Sequence, residues 1–211
     1  AEAFRTFGWD TAAENLRRYR SGTGKPKIYS RAEIERHTPI LMAEDRNRTR
    51  FETLTLLGNS GKKTTNNLVL DIQDGKTVTV HDNWDAGTFP VPKQSSSVPE
   101  YGWNLVSNSG TYFAFGQQEI QSRGRFELIR KGDTIIANGE VVHGFDHDDA
   151  DRHYDFNPGQ PGHPAATVAE GANQAKPFSY GYRHVERNRT IIRIIEDGSR
   201  VIERSDWWAA R

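Results

Sequence analysis

The sequence predicts a mainly β protein of the α+β class, with antiparallel strands behind a short helical lead-in, on three observations. Short β-branched or alternating runs follow one another from Phe51 onward. Two-residue turn signals ending in glycine separate several of them, at Asp74-Gly75, Asn138-Gly139 and Asp197-Gly198. No long helical period lies between the strands, which argues against a parallel doubly wound sheet.

The opening residues carry helix signals. Thr11 with Glu14 three residues on is a capping box, and Ala12, Leu16 and Tyr19 fall on one helical face before Gly22 and Gly24 end the run. Ser30 with Glu33 repeats the box ahead of a shorter segment around Ile34, which Pro39 cuts short. Residues 1–50 thus read as a helical lead-in and 51–211 as a β-rich domain. In the latter, Phe51 to Leu57, Leu68 to Ile72 and Thr77 to His81 are predicted strands. Each glycine turn then joins two strands, because a type I′ turn needs positive φ at both central positions. Thr134 to Ala137 is paired in this way with Glu140 to His143, and Thr190 to Ile195 with Arg200 to Glu203. Two stretches interrupt the strands. Pro90 to Pro99 holds three prolines and three consecutive serines, and Asn157 to Lys176 is rich in Pro, Gly and Ala. Both read as long loops, the second as a functional or mobile one.

A chain of 211 residues is one large domain or two small ones. Its 28 basic and 28 acidic residues cancel, so no net field draws the whole molecule onto a polyanion. With 10 Phe, 7 Tyr and 5 Trp it is too aromatic to be disordered. The absence of cysteine removes disulfides, thiolate metal sites and cysteine nucleophiles, so any chemistry must use oxygen and nitrogen groups. No apolar run reaches the roughly 20 residues of a membrane span, and no basic-then-apolar signal peptide opens the chain.

The densest group of titratable residues runs from Val142 to His163. It contains His143, Asp146, His147, Asp148, Asp149, Asp151, His153, Asp155 and His163. Carboxylates beside imidazoles are what a divalent cation or an acid/base pair requires, although a solvated acidic loop has the same composition. His143, at the end of a predicted strand, reads equally as a packed residue or a ligand. Within the group, Tyr154-Asp155-Phe156-Asn157 places Phe156 as an apolar anchor between polar residues, ahead of an Asn157-Pro158-Gly159 turn.

Here the chain resembles the catalytic domain of the colicin M family of lipid II-degrading bacteriocins. The likeness rests on Asp151-Arg-His-Tyr154-Asp155-Phe156-Asn157 followed by His163. Gly87-Thr-Phe-Pro-Val91, Gly124-Arg-Phe-Glu-Leu and Asn138-Gly139-Glu-Val-Val142 precede it in the family's order. It is closest over residues 87–195. An ungapped match sets Arg152 at the family's first aspartate, so Asp151 or Asp149 supplies that carboxylate through a one-residue shift or a looser loop. Seven residues separate Asp155 from His163, and Pro164 stands where the family has arginine.

The resemblance implies an open β-barrel-like catalytic domain that hydrolyses the bond between the undecaprenyl chain and the pyrophosphate of lipid II, with Mg²⁺. It implies an antibacterial toxin that a producer cell secretes or delivers, acting in the periplasm of the target bacterium against peptidoglycan synthesis. The implied catalytic residues are Asp151, Tyr154, Asp155 and His163. Asp155 and Asp151 are the metal carboxylates, and Arg152 and Arg183 take the place of the missing family arginine. Implied partners are lipid II at the membrane surface, a cognate immunity protein and a secretion-system carrier, with no nucleic acid. Trp103, Tyr112, Phe113, Phe115, Trp207 and Trp208 are the aromatics available for an apolar approach, with the core as the alternative place for Phe113 and Phe115.

Two other classes fit the residues. One is a metal-dependent nuclease toxin that sets Arg123, Arg125, Arg130 and Lys131 on a nucleic-acid backbone. The other is a non-catalytic β adaptor module of a secreted effector, whose Asp/His loop is only surface.

Overall fold

The computed structural model describes residues 5–6, 9–58, 72–89, 111, 114–115, 118–145, 153–154, 175–196 and 198–210. The protein is mainly β with a few helices, an α+β fold, and its mixed sheet does not close into a barrel. Helices α1 (Asp10–Arg20), α2 (Arg31–Ile34) and α3 (Thr38–Arg50) run into a π-helical stretch, Phe51–Leu56. The strands are β1 (Lys27–Tyr29), β2 (Thr77–Phe89), β3 (Gln118–Lys131), β4 (Thr134–Phe145), β5 (His153–Tyr154), β6 (Phe178–Ile194) and β7 (Arg200–Ala209). The chain forms two compact units, one of residues 1–41, 88–119 and 145–182, the other of 42–87, 120–144 and 183–211.

In the first unit, α1 buries Ala12, Ala13, Asn15 and Tyr19. Asn15 donates to the Ala114 carbonyl at 2.7 Å and accepts from the Tyr29 hydroxyl at 2.6 Å, so no polar atom of this buried amide is wasted. β1 pairs in parallel with Tyr180 to Tyr182 of β6, and β5 pairs antiparallel with Phe178 and Ser179. The parallel pair departs from the antiparallel expectation. It is possible because α2 and α3 lie between β1 and the later strands, giving the chain length to return. Tyr29, Phe115, Phe145, Tyr180 and Tyr182 form an aromatic core, with the Tyr29 and Phe115 rings edge to face at 4.9 Å.

The helix signals hold in part. Ser30 and Glu33 form the expected reciprocal capping box, and Gly22 and Gly24 have φ of 66° and 61° just beyond α1. Thr11 does not cap α1, which starts after Trp9 with no side-chain cap. The Thr11 hydroxyl is taken by His37 Nε2 at 2.9 Å, while His37 Nδ1 meets Thr111 Oγ1 at 3.0 Å. A buried imidazole outcompetes a helix end that water can reach. Pro39 opens a helix where an early stop was expected, because a proline in the first turn has no intrahelical N–H to lose.

In the second unit the strand order is β7-β6-β4-β3-β2. One face of this sheet carries the core of Phe51, Leu56, Phe126, Leu128, Ile135, Ala137, Val141 and Ile192. Phe51 comes from the helical side, with its ring 5.4 Å from that of Phe126. The expected strand from Phe51 to Leu57 is therefore helical. Its threonines mimic β propensity, but Thr53 donates to the Thr49 carbonyl and Thr49 to that of Asp45, the back-bonding that lets Thr sit in a helix.

The Asp197-Gly198 hairpin forms as expected between β6 and β7 in its described residues, with Gly198 at φ 80° and Ile195 N–H donating to the Ser199 carbonyl. Asp74-Gly75 is a turn with Gly75 at φ 72°, but Ile72 lies outside any strand and 68–71 lie outside the described residues. Asn138-Gly139 is no turn at all: β4 runs straight through it. Gly139 lacks positive φ, and a Cβ there would stand 2.3 Å from the Phe126 ring. The β3–β4 reversal is at Gly132-Asp133, with Gly132 at φ 60°. A two-residue turn there sets Phe126 opposite Gly139 and Ser122 opposite His143, as their contacts require.

Gly139→Ala should accordingly lower stability by about 1–3 kcal/mol through overpacking, read as a fall in denaturant midpoint. Adding Phe126→Leu should recover part of that loss, whereas a turn glycine would recover nothing.

Candidate functional site

β6 alternates, so Glu186, Asn188, Thr190 and Ile192 all face the interior of the second unit. A carboxylate at such a position is tolerated only with partners. Arg48, from the last turn of α3, donates through Nε to Glu186 Oε2 and through Nη2 to Oε1, each at 2.7 Å. Glu44 Oε2 stands 3.8 Å from the same guanidinium, and Asp45 Oδ1 3.5 Å from it. His143 Nε2 lies 3.2 Å from Glu186 Oε2, and His184 Nε2 3.2 Å from Oε1. The Ser122 hydroxyl lies 2.7 Å from His143 Nδ1. Asn47 donates to Ser122 Oγ at 2.8 Å and to the Ile120 carbonyl at 3.0 Å. Ser122 and His143 are served when Asn47 donates to Ser122, Ser122 to Nδ1, and Nε2–H to the carboxylate, while Asn47 Oδ1 is buried without a partner among the described residues.

Hydroxyl, imidazole and carboxylate stand here in the order that activates a serine nucleophile. The comparison ends at exposure, since Ser122, His143 and Asn47 have none. No substrate reaches that hydroxyl, and the Glu186 charge is already spent on Arg48. The cluster joins α3 to β3, β4 and β6 and is a structural polar core. Among the described residues no group of three His, Asp or Glu is arranged to hold a metal ion.

Of the sequence-derived site residues, Asp151, Arg152, Asp155 and His163 lie outside the described residues. Tyr154 is in β5, opposite Phe178, in the first unit. Arg183 is exposed on β6, opposite Gly144, in the second. His143 is a packed residue. Trp103, Tyr112 and Phe113 lie outside the described residues, and Phe115 is a core ring. Trp207 is half-buried, with its indole N–H donating to Glu52 Oε1 at 2.7 Å, while Trp208 is 46% exposed. Among the residues that sequence reading passed over are Asn47, Arg48, Ser122, His184 and Glu186. A usable signal was present for two of them, because Ser122 and Glu186 fall in phase with the inward apolar positions of their strands.

Two buried groups contribute to the acid response. Burial, with the Arg36 charge, lowers His37 from 6.5 to about 4. The neutral ring belongs to the folded state, so stability is complete above about 6.5 and declines as pH falls through about 4. Burial alone would raise the Glu186 carboxyl, but hydrogen bonds from His143 and Arg48, with the Arg48 charge, outweigh it and hold it at about 2. Its contribution is intact above about 4.5 and is lost as pH falls toward about 2. Denaturant titrations across this range should show His37→Gln flattening the upper part of the decline. Glu186→Gln should leave that part in place and cost about 3 kcal/mol near neutral pH, because Arg48 loses its counter-charge.

Comparison with known proteins returns no match for this chain, whether to a family model, to a curated protein or to a solved structure.

Proposed function

We propose that this chain is an antibacterial toxin domain that hydrolyses the undecaprenyl-pyrophosphate linkage of lipid II in the periplasm of a target bacterium. The observation that carries the reading is the series of four colicin M-like segments in family order, ending in Tyr154-Asp155-Phe156-Asn157 and His163. Packing supports treating two of them as one unit. The Gly124-Arg-Phe segment and the Asn138-Gly139 segment meet at Phe126, whose ring occupies the space a Cβ would need at either glycine. Neither segment is free to change without the other. The pairing of β5 with β6 also ties the backbone of the Tyr154 stretch to a strand.

Cleavage of a pyrophosphate ester depends mostly on positioning and charge neutralisation. In this reading Asp155 and Asp151 supply the hard oxygen ligands that Mg²⁺ takes, and the ion, when bound, neutralises charge on the pyrophosphate. His163 acts as general acid/base, and the Tyr154 hydroxyl orients the phosphate. Arg152 and Arg183 are the cationic candidates for the pyrophosphate.

Export of the chain to the periplasm of a susceptible bacterium should cause lysis, while expression confined to the cytoplasm should not. Asp155→Ala should lower turnover of detergent-solubilised lipid II by at least about a hundredfold, the scale of a lost acid/base or metal-ligand role. Undiminished turnover in that variant, or toxicity confined to the cytoplasm with digestion of nucleic acid, would sink the reading.

A further inference from the structure

The second unit buries one face of its sheet and leaves the other to solvent, and the exposed face is unevenly charged. Along β6 the outward positions are Arg183, Val185, Arg187, Arg189, Ile191 and Arg193, and the arginines among them are exposed. Arg123 and Arg125 project from β3 on the same side. Arg125, Arg193 and Arg204 have acidic partners, respectively Glu127, Asp133 with Glu203, and Asp206. The side chains of Arg123, Arg183, Arg187 and Arg189 have no hydrogen bond or ion pair among the described residues. Two carboxylates stand in register with the row, Glu140 opposite Arg187 and Asp206 opposite Arg189; neither forms an ion pair with it, and Asp206 is held by Arg204. Four unanswered arginines against one unanswered carboxylate is a positive surface on a chain whose total charge is zero.

What lies between the arginines selects the partner. Their neighbours are Val142, Val185, Ile136 and Ile191, all half-buried aliphatics. Among the described residues the exposed Phe, Tyr or Trp ring on this face is Trp208, at the β7 edge and opposite Arg187 in register. A platform for single-stranded nucleic acid carries rings on which bases stack between the cations, and none stands there among the described residues. Guanidinium groups over an aliphatic floor, with an indole at the margin, suit lipid phosphates and the interfacial layer beneath them.

We infer that the outer face of this sheet, centred on Arg187 and Arg189, docks the protein on an anionic phospholipid bilayer. The inference extends the lipid II reading, on which the choice of a bacterial membrane rests, and puts the domain on the surface where an amphiphilic pyrophosphate substrate resides. The contact is electrostatic and therefore sensitive to salt.

The test is co-sedimentation of the whole chain with vesicles of phosphatidylcholine, with and without phosphatidylglycerol. Binding should require phosphatidylglycerol and fall as salt rises. Arg187→Gln with Arg189→Gln should lower the partition coefficient by at least about tenfold, given the usual contribution of a basic residue near such a surface. Arg20→Gln, an exposed change in the first unit, should have no effect. The double variant should keep the parent's circular dichroism and its turnover of detergent-solubilised lipid II, and lose turnover only on vesicles. Equal binding to neutral vesicles, or parental binding by the double variant, would overturn the inference. So would an oligonucleotide that displaces the vesicles and is itself lost in that variant. Asp155→Ala separates the two proposals: it should bind vesicles as the parent does, and full turnover by it would remove the hydrolase reading while leaving the docking face in place.

Discussion

Glu186 is the constraint around which the second unit is arranged. Its strand alternates, so the carboxylate must face inward or the whole strand must turn over and carry Arg187 and Arg189 inside. Burying one carboxylate with a matched guanidinium is far less costly than burying several unmatched cations. Arg48 supplies the match with two parallel hydrogen bonds, which fix distance and direction together. That fixes the end of α3 over β6. His143 and His184 take up the remaining acceptor capacity, and through His143 the requirement passes to Ser122 and then Asn47. Each added partner is a polar group that would otherwise be buried without one.

The apolar packing beside this cluster obeys a geometric demand of similar kind. Phe126 lies flat in the space left by two glycines on neighbouring strands, and Phe51 closes over it from the π-helical stretch. The ring sits deep because Gly124 and Gly139 have no side chains to hold it off. A helix that ran on regularly past Arg50 would present a different residue there. The widened turn is where the helix meets both a fixed ion pair and a fixed ring, and π-helical turns commonly occur at such points of conflict.

These demands explain what the sequence could and could not reveal. Period-two alternation is a strong signal: it made β7, the end of β6 and both halves of β4 legible, although it split β4 into two strands at Asn138-Gly139. Asn138-Gly139 misled because a missing Cβ serves a positive φ and a close ring equally well, and one sequence does not say which. Phe51 to Leu56 misled because threonine favours strands only until its hydroxyl finds a carbonyl four residues back. The capping box at Thr11 failed because its competitor, His37, is distant in sequence. The polar cluster was half legible: Ser122 and Glu186 break an apolar phase, but nothing local to Asn47 or Arg48 says they will meet them. Tyr154 and Arg183 could be named from a motif and a charge, but neither β5 nor the part of β6 that holds Arg183 was signalled as a strand.

The sheet's two faces together bear on why the arginines of β6 are outside and unpaired. Exposed ion pairs contribute little to stability, so the fold gains almost nothing from holding Arg183, Arg187 and Arg189 along one strand. It loses a little by their mutual repulsion. Where the fold does need a cation, at Arg48, it provides three carboxylates around it. The contrast is between a charge neutralised for folding and a row of charges left available. A row left available on a rigid strand, backed by a locked core, keeps its spacing when a partner arrives, so little ordering entropy opposes the contact. A partner with closely spaced phosphates and an apolar layer below them matches both the row and its aliphatic floor.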